Sequence, residues 1–240
     1  MRKLSLRIAL HGFLLLLLAL APTAYAQDDE RPDFKMPCEE VLKLGLDKFM
    51  DVYGKKTEDY STAGQKMGFE YWVKCKRPAN DALAAESLSE ERRKQVDAAR
   101  EEFNKFGTAL WGLKYLEEGG GTMWGLASVG SYAEREKFME TFIRTLAAPE
   151  KRSPRARRHV NASLAQIQRW LSAADRKPFI EGSEPEQVEQ NKKYYEETIK
   201  ETQDALAKLR DLLSALPDAA ADRLATQMAS ETSNALSDTP

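Results

Sequence analysis

Apolar residues recur at intervals of three and four positions along most of this chain, and no stretch alternates apolar with polar residues. Such spacing places apolar side chains on one face of a helix, whereas alternation would indicate a strand. The longest series consists of Tyr195, Ile199, Thr202, Leu206, Leu209, Leu213 and Leu216. β-Branched residues, which favour strands, are scarce, with seven valines and four isoleucines in residues 27–240. The sequence therefore predicts an all-α protein.

The N-terminus has the features of a secretory signal peptide. Three basic residues among the first seven precede an apolar run at 8–20, and residues 24–26 (Ala-Tyr-Ala) suit the cleavage site. We therefore expect cleavage after Ala26 and a soluble mature protein that is periplasmic or secreted. No later apolar run approaches the roughly 18 residues of a membrane span, so no transmembrane segment is expected after cleavage.

Composition excludes several functions. The mature chain would carry 33 basic and 38 acidic residues, a net charge of −5, which argues against nucleic acid as a partner. Of the two histidines, His11 lies in the signal peptide and only His159 remains. Haem, di-iron and zinc sites need more histidines or cysteines than this, and His159 lies among arginines, where a neutral catalytic base is unfavourable. We expect no metal, no cofactor and no identifiable catalytic residue, although carboxylates alone could catalyse hydrolysis.

Cys38 and Cys75 are the only cysteines, and an even number in an oxidising compartment indicates a disulfide. Apolar spacing predicts one helix over about 38–53 and a second from about residue 62 that ends before Pro78. If the two helices pack antiparallel, both cysteines lie at the open end of the pair. The sequence therefore predicts an αα-hairpin closed by a disulfide, and the absence of a CxxC motif argues against a redox or metal pair.

Three further helices begin at predicted capping boxes, in which a glutamate follows a serine by three residues: Ser87 with Glu90, Ser131 with Glu134, and Ser183 with Glu186. Another begins at Ser153. We expect residues 27–217 to form a single domain, an elongated bundle of about six helices. Within it, 27–78 would be the hairpin and 87–217 the main bundle. Residues 218–240 are predicted to be a weakly structured tail.

The helix over residues 184–216 allows a second interpretation. Its apolar stripe has the heptad spacing of a coiled coil, so two copies of the chain could form a homodimer through it. A helix of a bundle within one chain shows the same spacing, and a polar residue, Thr202, interrupts the stripe. The spacing favours the bundle and leaves the dimer as an alternative.

Residues 119–134 (GGGTMWGLASVGSYAE) contain five glycines and several apolar side chains. A phosphate-binding loop would need lysine where Ser131 stands, and no strand precedes the segment. We expect the glycines to end one helix and to lead into an apolar loop. That loop could pack as a lid over the bundle, or it could present Trp124 to a partner or a sugar ring, with Met123 and Tyr132 nearby. These three residues are candidate binding residues.

Residues 151–158 (KRSPRARR) place five cations at the start of a predicted helix. The helix dipole disfavours positive charge at that position, so something is expected to offset it. Neighbouring carboxylates could do so, or an anionic ligand such as lipid headgroups, a cell-wall polymer or an acidic protein. Arg155, Arg157 and Arg158 are therefore further candidate binding residues.

These observations predict an exported, non-enzymatic helical protein of the cell envelope or periplasm that binds another macromolecule. Its partner would be an unidentified protein or a cell-envelope polymer, and the chain would act as an inhibitor, a chaperone-like protein or an envelope-associated factor. The alternative is a carboxylate-dependent hydrolase or lyase of the cell envelope. A protonatable carboxylate pair buried in a groove would favour the enzyme, and a solid bundle with an aromatic patch would favour the binding protein.

Overall fold

The computed structural model of the protein describes residues 34–119, 122–173, 176–179 and 184–236, with the backbone alone at 122–124. Within these ranges the chain forms eight α-helices and no strand, which confirms the all-α prediction. The helices are α1 (Cys38–Leu44), α2 (Leu46–Thr57), α3 (Thr62–Ser87), α4 (Glu90–Glu118), α5 (Thr122–Ala147), α6 (Pro154–Leu171), α7 (Pro185–Ala215) and α8 (Asp218–Leu236). The predicted signal peptide lies outside the described residues.

The structure has two more helices than the six expected within the described residues. The first additional helix arises from a break near the start of the described chain. Residues 38–53, predicted as one helix, are divided at Gly45, which has a φ of 74° and a ψ of 166°. Glycine adopts a positive φ without the steric cost that a side chain would add. The apolar spacing continues from Leu42 to Leu46 across this break, so periodicity alone does not reveal it.

The predicted disulfide between Cys38 and Cys75 is present, with the two Cα atoms 5.1 Å apart. Beside it, the Tyr71 hydroxyl donates a hydrogen bond to the Met36 carbonyl at 2.7 Å. Both α1 and α2 pack against α3. The start of α1 is thus joined to the middle of α3, at the open end of the predicted hairpin.

α3 does not end before Pro78, and this prediction was wrong. The helix continues through the proline to Ser87. Proline removes one backbone hydrogen bond and usually bends or breaks a helix. Here the helix packs along α5, and buried side chains lie on both sides of the proline, among them Cys75, Asn80 and Ala84. Tertiary packing holds the helix together where local propensity favours an end.

The main bundle is built around α4, which runs antiparallel to α5 and α7. Arg92 in its first turn donates to the Leu146 carbonyl near the end of α5, and Glu117 in its last turn accepts from Tyr195 in the first third of α7. The buried core includes Phe103, Phe106, Leu110, Phe142, Ile143 and Leu209. The apolar stripe of residues 184–216, which suggested a homodimer, is largely covered by α4 of the same chain.

Residues 218–236 form a packed helix, so the prediction of a weakly structured tail was wrong. Leu224, Ala225 and Met228 of α8 are completely buried, and the helix packs against α4, α5 and α6. Its many small and polar residues resemble those of a disordered tail, which explains the error. In a bundle the same alanines allow neighbouring helices to approach closely. Residues 237–240 lie outside the described residues.

Two predicted capping boxes were wrong. Ser89, rather than Ser87, caps α4 by accepting from the Arg92 N–H at 3.4 Å. α5 begins at Thr122 and not at Ser131, so the predicted apolar loop forms the first turns of this helix. Local capping chemistry gives several possible starts for a helix, and packing selects among them.

Other predicted helix ends are confirmed. Ser153 caps α6 by accepting from the Ala156 N–H at 3.2 Å, and Gly119 ends α4 in the left-handed conformation. Ser183 lies outside the described residues, and α7 begins at Pro185.

Candidate functional site

The aromatic candidates from the glycine-containing segment lie in the first three turns of α5. The side chains of Met123 and Trp124 lie outside the described atoms. Tyr132 is half-buried between two arginines. Its hydroxyl accepts from Arg77 Nη1 at 3.2 Å, and the Arg135 guanidinium lies 5.8 Å from its ring centre. Tyr132 is therefore held by the bundle and does not project from a loop.

Five large apolar side chains of the described residues are exposed, by 40% to 59% of their surface: Tyr60, Met67, Tyr115, Phe179 and Tyr194. They come from the α2–α3 turn, α3, the last turn of α4, the segment that follows α6, and α7. We call this set the apolar end, because all five parts of the chain lie at the same end of the bundle.

Contacts between the helices show why these parts lie together. α5 begins shortly after α4 ends, so the end of α4 and the start of α5 are neighbours. α3 runs parallel to α5, since Arg77 donates to Tyr132 and, further along both helices, Asn80 donates to the Glu136 carbonyl. The start of α3 therefore lies beside the start of α5.

Polar contacts attach the other two parts to the end of α4. The Phe179 N–H donates to the Leu116 carbonyl at 2.7 Å, which places the segment after α6 against the last turn of α4. The Glu117 carboxylate accepts from Arg176 at 2.7 Å and from the Tyr195 hydroxyl at 2.6 Å. Phe179 is held at this end by its own hydrogen bond, and Tyr194 is held there by the hydrogen bond of the adjacent Tyr195.

Two further features fix this arrangement. Burial, reinforced by the hydrogen bond to Glu117, raises the pKa of Tyr195 above its ordinary value, so the hydroxyl keeps its proton and continues to donate. Gly119 has a φ of 77°, and a Cβ on it would lie 2.4 Å from Cδ1 of Phe179. Glycine at this position allows the Phe179 ring to lie directly against the end of α4.

Two buried ion pairs lie further along the bundle, and α5 supplies one member of each through consecutive residues. Arg135 lies 3.7 Å from Glu231 of α8, and Glu136 lies 3.4 Å from Arg100 of α4. All four side chains are at most 7% exposed. Asn80 adds a hydrogen bond to the Glu136 carboxylate at 3.2 Å. Burial of a charge without an opposite partner would be costly, so each pair neutralises its members.

The Arg135–Glu231 pair occupies the space beside Gly107 of α4, where a side chain is absent. Arg135 donates to the Asn104 carbonyl at 3.0 Å, and the Ser131 hydroxyl donates to Glu231. Burial raises the pKa of Glu231 and lowers that of Arg135, while their mutual attraction opposes both shifts. A Cβ on Gly107 would lie 1.9 Å from Arg135 Nη1, so the glycine is what makes room for the pair.

The sequence alone did not reveal these pairs. Arg135 and Glu136 are adjacent charged residues in a helix, and such a pattern usually indicates a face exposed to solvent. The only signal was Gly107, a residue without a side chain within the otherwise apolar stripe of α4.

The two largest described grooves do not expose these carboxylates. One lies between α4 and α7 with a volume of about 700 Å³, and the other lies between α5 and α8 with a volume of about 690 Å³. Neither Glu136 nor Glu231 lines them. Among the described residues, no group of histidine, cysteine and carboxylate side chains is arranged to hold a metal ion.

The candidate arginines of α6 divide into two kinds. Arg155 and Arg158 are exposed and have no carboxylate within 4.0 Å among the described residues. Arg157 is half-buried, pairs with Asp218, and donates to the Leu213 carbonyl at 2.7 Å. It therefore satisfies the last carbonyls of α7 and links that helix to the start of α8, which is a structural role.

The only histidine among the described residues, His159, also has a carboxylate partner. His159 is exposed, and its Nδ1 lies 2.6 Å from Oδ1 of Asp222. Part of the positive charge at the start of α6 is thus offset by Asp218 and Asp222 of α8, as the sequence suggested for neighbouring carboxylates.

None of the described helices combines the length and the apolar character needed to cross a membrane. Comparison of the chain with protein families, with characterised proteins and with solved structures found no match.

Proposed function

We propose that this chain is an exported, soluble, non-enzymatic helical protein of the cell envelope, and that it binds a partner protein through the apolar end. The observation that carries the proposal is that all five exposed large apolar side chains of the described residues lie at one end of the bundle. Exposed apolar surface that is concentrated in one region is typical of an interaction site. Tyrosine is among the residues that contribute most to binding energy at interfaces.

The way in which the surface is held supports the same proposal. The backbone of Phe179 is bonded to Leu116 at the end of α4, and Tyr194 precedes Tyr195, which is bonded to Glu117. A partner that binds there would order few additional side chains, and this lowers the entropic cost of association.

Export is supported by the predicted signal peptide and by the disulfide. Cys38 and Cys75 are bonded to each other, and such bonds persist in oxidising compartments outside the cytoplasm.

The enzymatic alternative requires a protonatable carboxylate pair that a substrate can reach. The buried carboxylates of the described residues, Glu136 and Glu231, are each engaged with an arginine and line neither of the two largest described grooves. Glu102 does line the groove between α4 and α7, but it lies 3.0 Å from Lys105 and 3.9 Å from Lys208. Since it too is engaged in ion pairs, the arrangement argues for binding without catalysis.

Site-specific photo-crosslinking tests the proposed surface. A photoreactive phenylalanine analogue replaces Tyr194 in the chain from Gln27 onward, and a matched sample carries it in place of Asp211, an exposed residue of the same helix about 26 Å away. We expect a defined adduct in envelope extract from the first sample and not from the second. Equal labelling from both positions, or no adduct from Tyr194, would contradict the proposal.

A competition measurement shows whether the adduct depends on the apolar side chains. Unlabelled wild-type chain should suppress the adduct, and a chain with Phe179→Ser and Tyr194→Ser should suppress it at least tenfold less well, since each residue at the centre of an interface is worth about 1–2 kcal/mol. Circular dichroism checks that the double variant remains folded. Equal competition by both chains would show that the apolar end is not the contact surface.

A second assay addresses the enzymatic alternative. The wild-type chain is incubated with purified cell-wall polymer, and the release of soluble fragments is followed beside Glu102→Gln and Glu201→Gln, which change carboxylates that line the groove between α4 and α7. We expect no release from any sample. Release by the wild-type chain that is lost in either variant would replace the proposed function with the hydrolase or lyase.

A further inference from the structure

The charge of the chain is unevenly distributed. Residues 151–171 contain none of the 38 acidic residues of the chain and six of its 36 lysines and arginines. These six are Lys151, Arg152, Arg155, Arg157, Arg158 and Arg169. The whole chain has a net charge of −2, so this segment is a strongly cationic region of a mildly acidic protein.

Helix geometry places three of these arginines on the outer face of α6. Val160 and Ile167 are buried and mark the face that packs on the bundle. At about 100° per residue, Arg158 and Arg169 lie within about 20° of each other and nearly opposite this buried face. Arg155 lies one turn before Arg158 on the same side, and all three arginines are exposed.

The outer face is flat as well as cationic. Between Arg158 and Arg169, the outward positions are occupied by Ala162 and Ala165, whose side chains are too short to keep a surface away. From Arg155 to Arg169 the array extends for about 21 Å along the helix.

The outer arginines differ from the other cationic residues of α6 in their acidic partners. Among the described residues, none of Arg155, Arg158 and Arg169 has a carboxylate within 4.0 Å. In the same helix Arg157 and His159, which point toward α8, each have one. The carboxylates of α8 therefore engage residues on the two flanks of the buried face of α6 and leave the outer face charged.

We propose that the outer face of α6, which we call the cationic face (Arg155, Arg158 and Arg169, with Lys151 and Arg152 before the helix), binds the phosphate groups of an anionic phospholipid membrane. A flat array of guanidinium groups matches a flat array of phosphates. An acidic peptide would be expected to occupy a groove, and none of these five cations lines a described groove. The apolar side of α6 is buried in the bundle, so attachment is electrostatic and does not involve insertion.

This site is separate from the apolar end. Arg157 contacts α7 at Leu213, and Tyr195 of α7 contacts α4 beside the apolar end; these two positions of α7 are about 27 Å apart. Membrane binding can therefore be present or absent whatever the outcome of the crosslinking experiment.

Vesicle co-sedimentation tests the proposal. The chain from Gln27 onward, which retains every described helix, is mixed at about 0.1 M salt with phosphatidylcholine vesicles that contain or lack phosphatidylglycerol. We expect binding to the anionic vesicles alone, and its loss when salt is raised to about 1 M. Each cation near an anionic surface contributes about fivefold to partitioning, so Arg155→Gln with Arg158→Gln should weaken binding about 30-fold.

A matched variant separates the cationic face from net charge. Lys192→Gln with Lys193→Gln removes the same charge from exposed positions of α7, and we expect less than a twofold change. Equal weakening by the two double variants would overturn the proposal, as would equal binding to both kinds of vesicle. Capture of polyglutamate through Arg155 and Arg158 without vesicle binding would overturn it in favour of an acidic peptide. Circular dichroism verifies that both variants are folded.

Discussion

Gly107→Ala is expected to destabilise the protein, although alanine normally stabilises a helix. Gly107 lies inside α4, and replacing an interior helical glycine with alanine usually gains about 1 kcal/mol. Here the new Cβ would lie 1.9 Å from Arg135 Nη1 and 2.5 Å from Glu231 Oε1. These distances are far inside van der Waals contact, so the ion pair must move.

The pair cannot move at low cost. Arg135 is buried, donates to the Asn104 carbonyl, and lies over the ring of Phe103 with its guanidinium 6.0 Å from the ring centre. Separating a buried ion pair costs about 3–5 kcal/mol. After the gain in helix propensity, Gly107→Ala should lower the free energy of unfolding by about 2–4 kcal/mol.

Gly112→Ala is the matched control, because it lies in the same helix. Its Cβ would meet only Thr198 Cγ2 at 3.4 Å, an ordinary contact, so this variant should be as stable as the wild type or up to about 1 kcal/mol more stable. Urea unfolding followed by circular dichroism gives the free energy of unfolding for each chain. In a background with Arg135→Ala and Glu231→Ala, the cost of Gly107→Ala should disappear. If Gly107→Ala is as stable as Gly112→Ala, the pair does not require the glycine.

Three other perturbations probe separate parts of the fold. Removing the disulfide by Cys38→Ala with Cys75→Ala should lower the free energy of unfolding by about 4 kcal/mol, because the sequence separation is 37. Reductant should bring the wild type to the same urea midpoint. Unchanged midpoints would show that the bond does not stabilise the fold. Asp218→Asn should be less stable than the wild type at neutral pH. A backbone N–H and Arg157 hold the pKa of Asp218 below its ordinary value of about 3.8. The stabilisation therefore exists above that value and is lost as pH falls through the lowered pKa, so the difference between the thermal midpoints of the two chains should shrink as pH falls below about 3.8. Met228→Ala should cost about 2–5 kcal/mol in urea unfolding, because Met228 is completely buried, whereas a residue of a frayed tail would show no change.

The fold class and most helices could be predicted, because bundle packing imposes the 3–4 spacing directly on the sequence. Ends set by local chemistry were also predictable, such as the serine cap at Ser153 and the left-handed Gly119. The continuation of α3 past Pro78 and the packing of α8 could not be predicted in the same way. In both, contacts with other helices outweigh a local tendency toward irregular structure, and those contacts are between residues far apart in sequence.

The candidate site shows the same limit. Tyr194 and Tyr195 are adjacent and chemically identical, yet one is half exposed and the other is buried against Glu117. Periodicity assigned Tyr195 to the apolar stripe, but only the packed structure shows which other segments of the chain lie at the same end as Tyr194. Among the α6 arginines, the sequence could not distinguish Arg157 from its neighbours, because its carboxylate partner, Asp218, lies in the segment that was predicted to be a weakly structured tail.

The consecutive Arg135 and Glu136 fix the rotation of α5 about its own axis. If α5 turned about its axis by the angle of one residue, Arg135 would take the place of Glu136 beside Arg100, and Glu134 would take the place of Arg135 beside Glu231. Like charges would then be buried together. Apolar packing alone tolerates small rotations, since one leucine can replace another at little expense. Exchanging the two residues, Arg135→Glu with Glu136→Arg, would keep the composition and charge of the chain and yet leave α5 without any orientation that satisfies both neighbours.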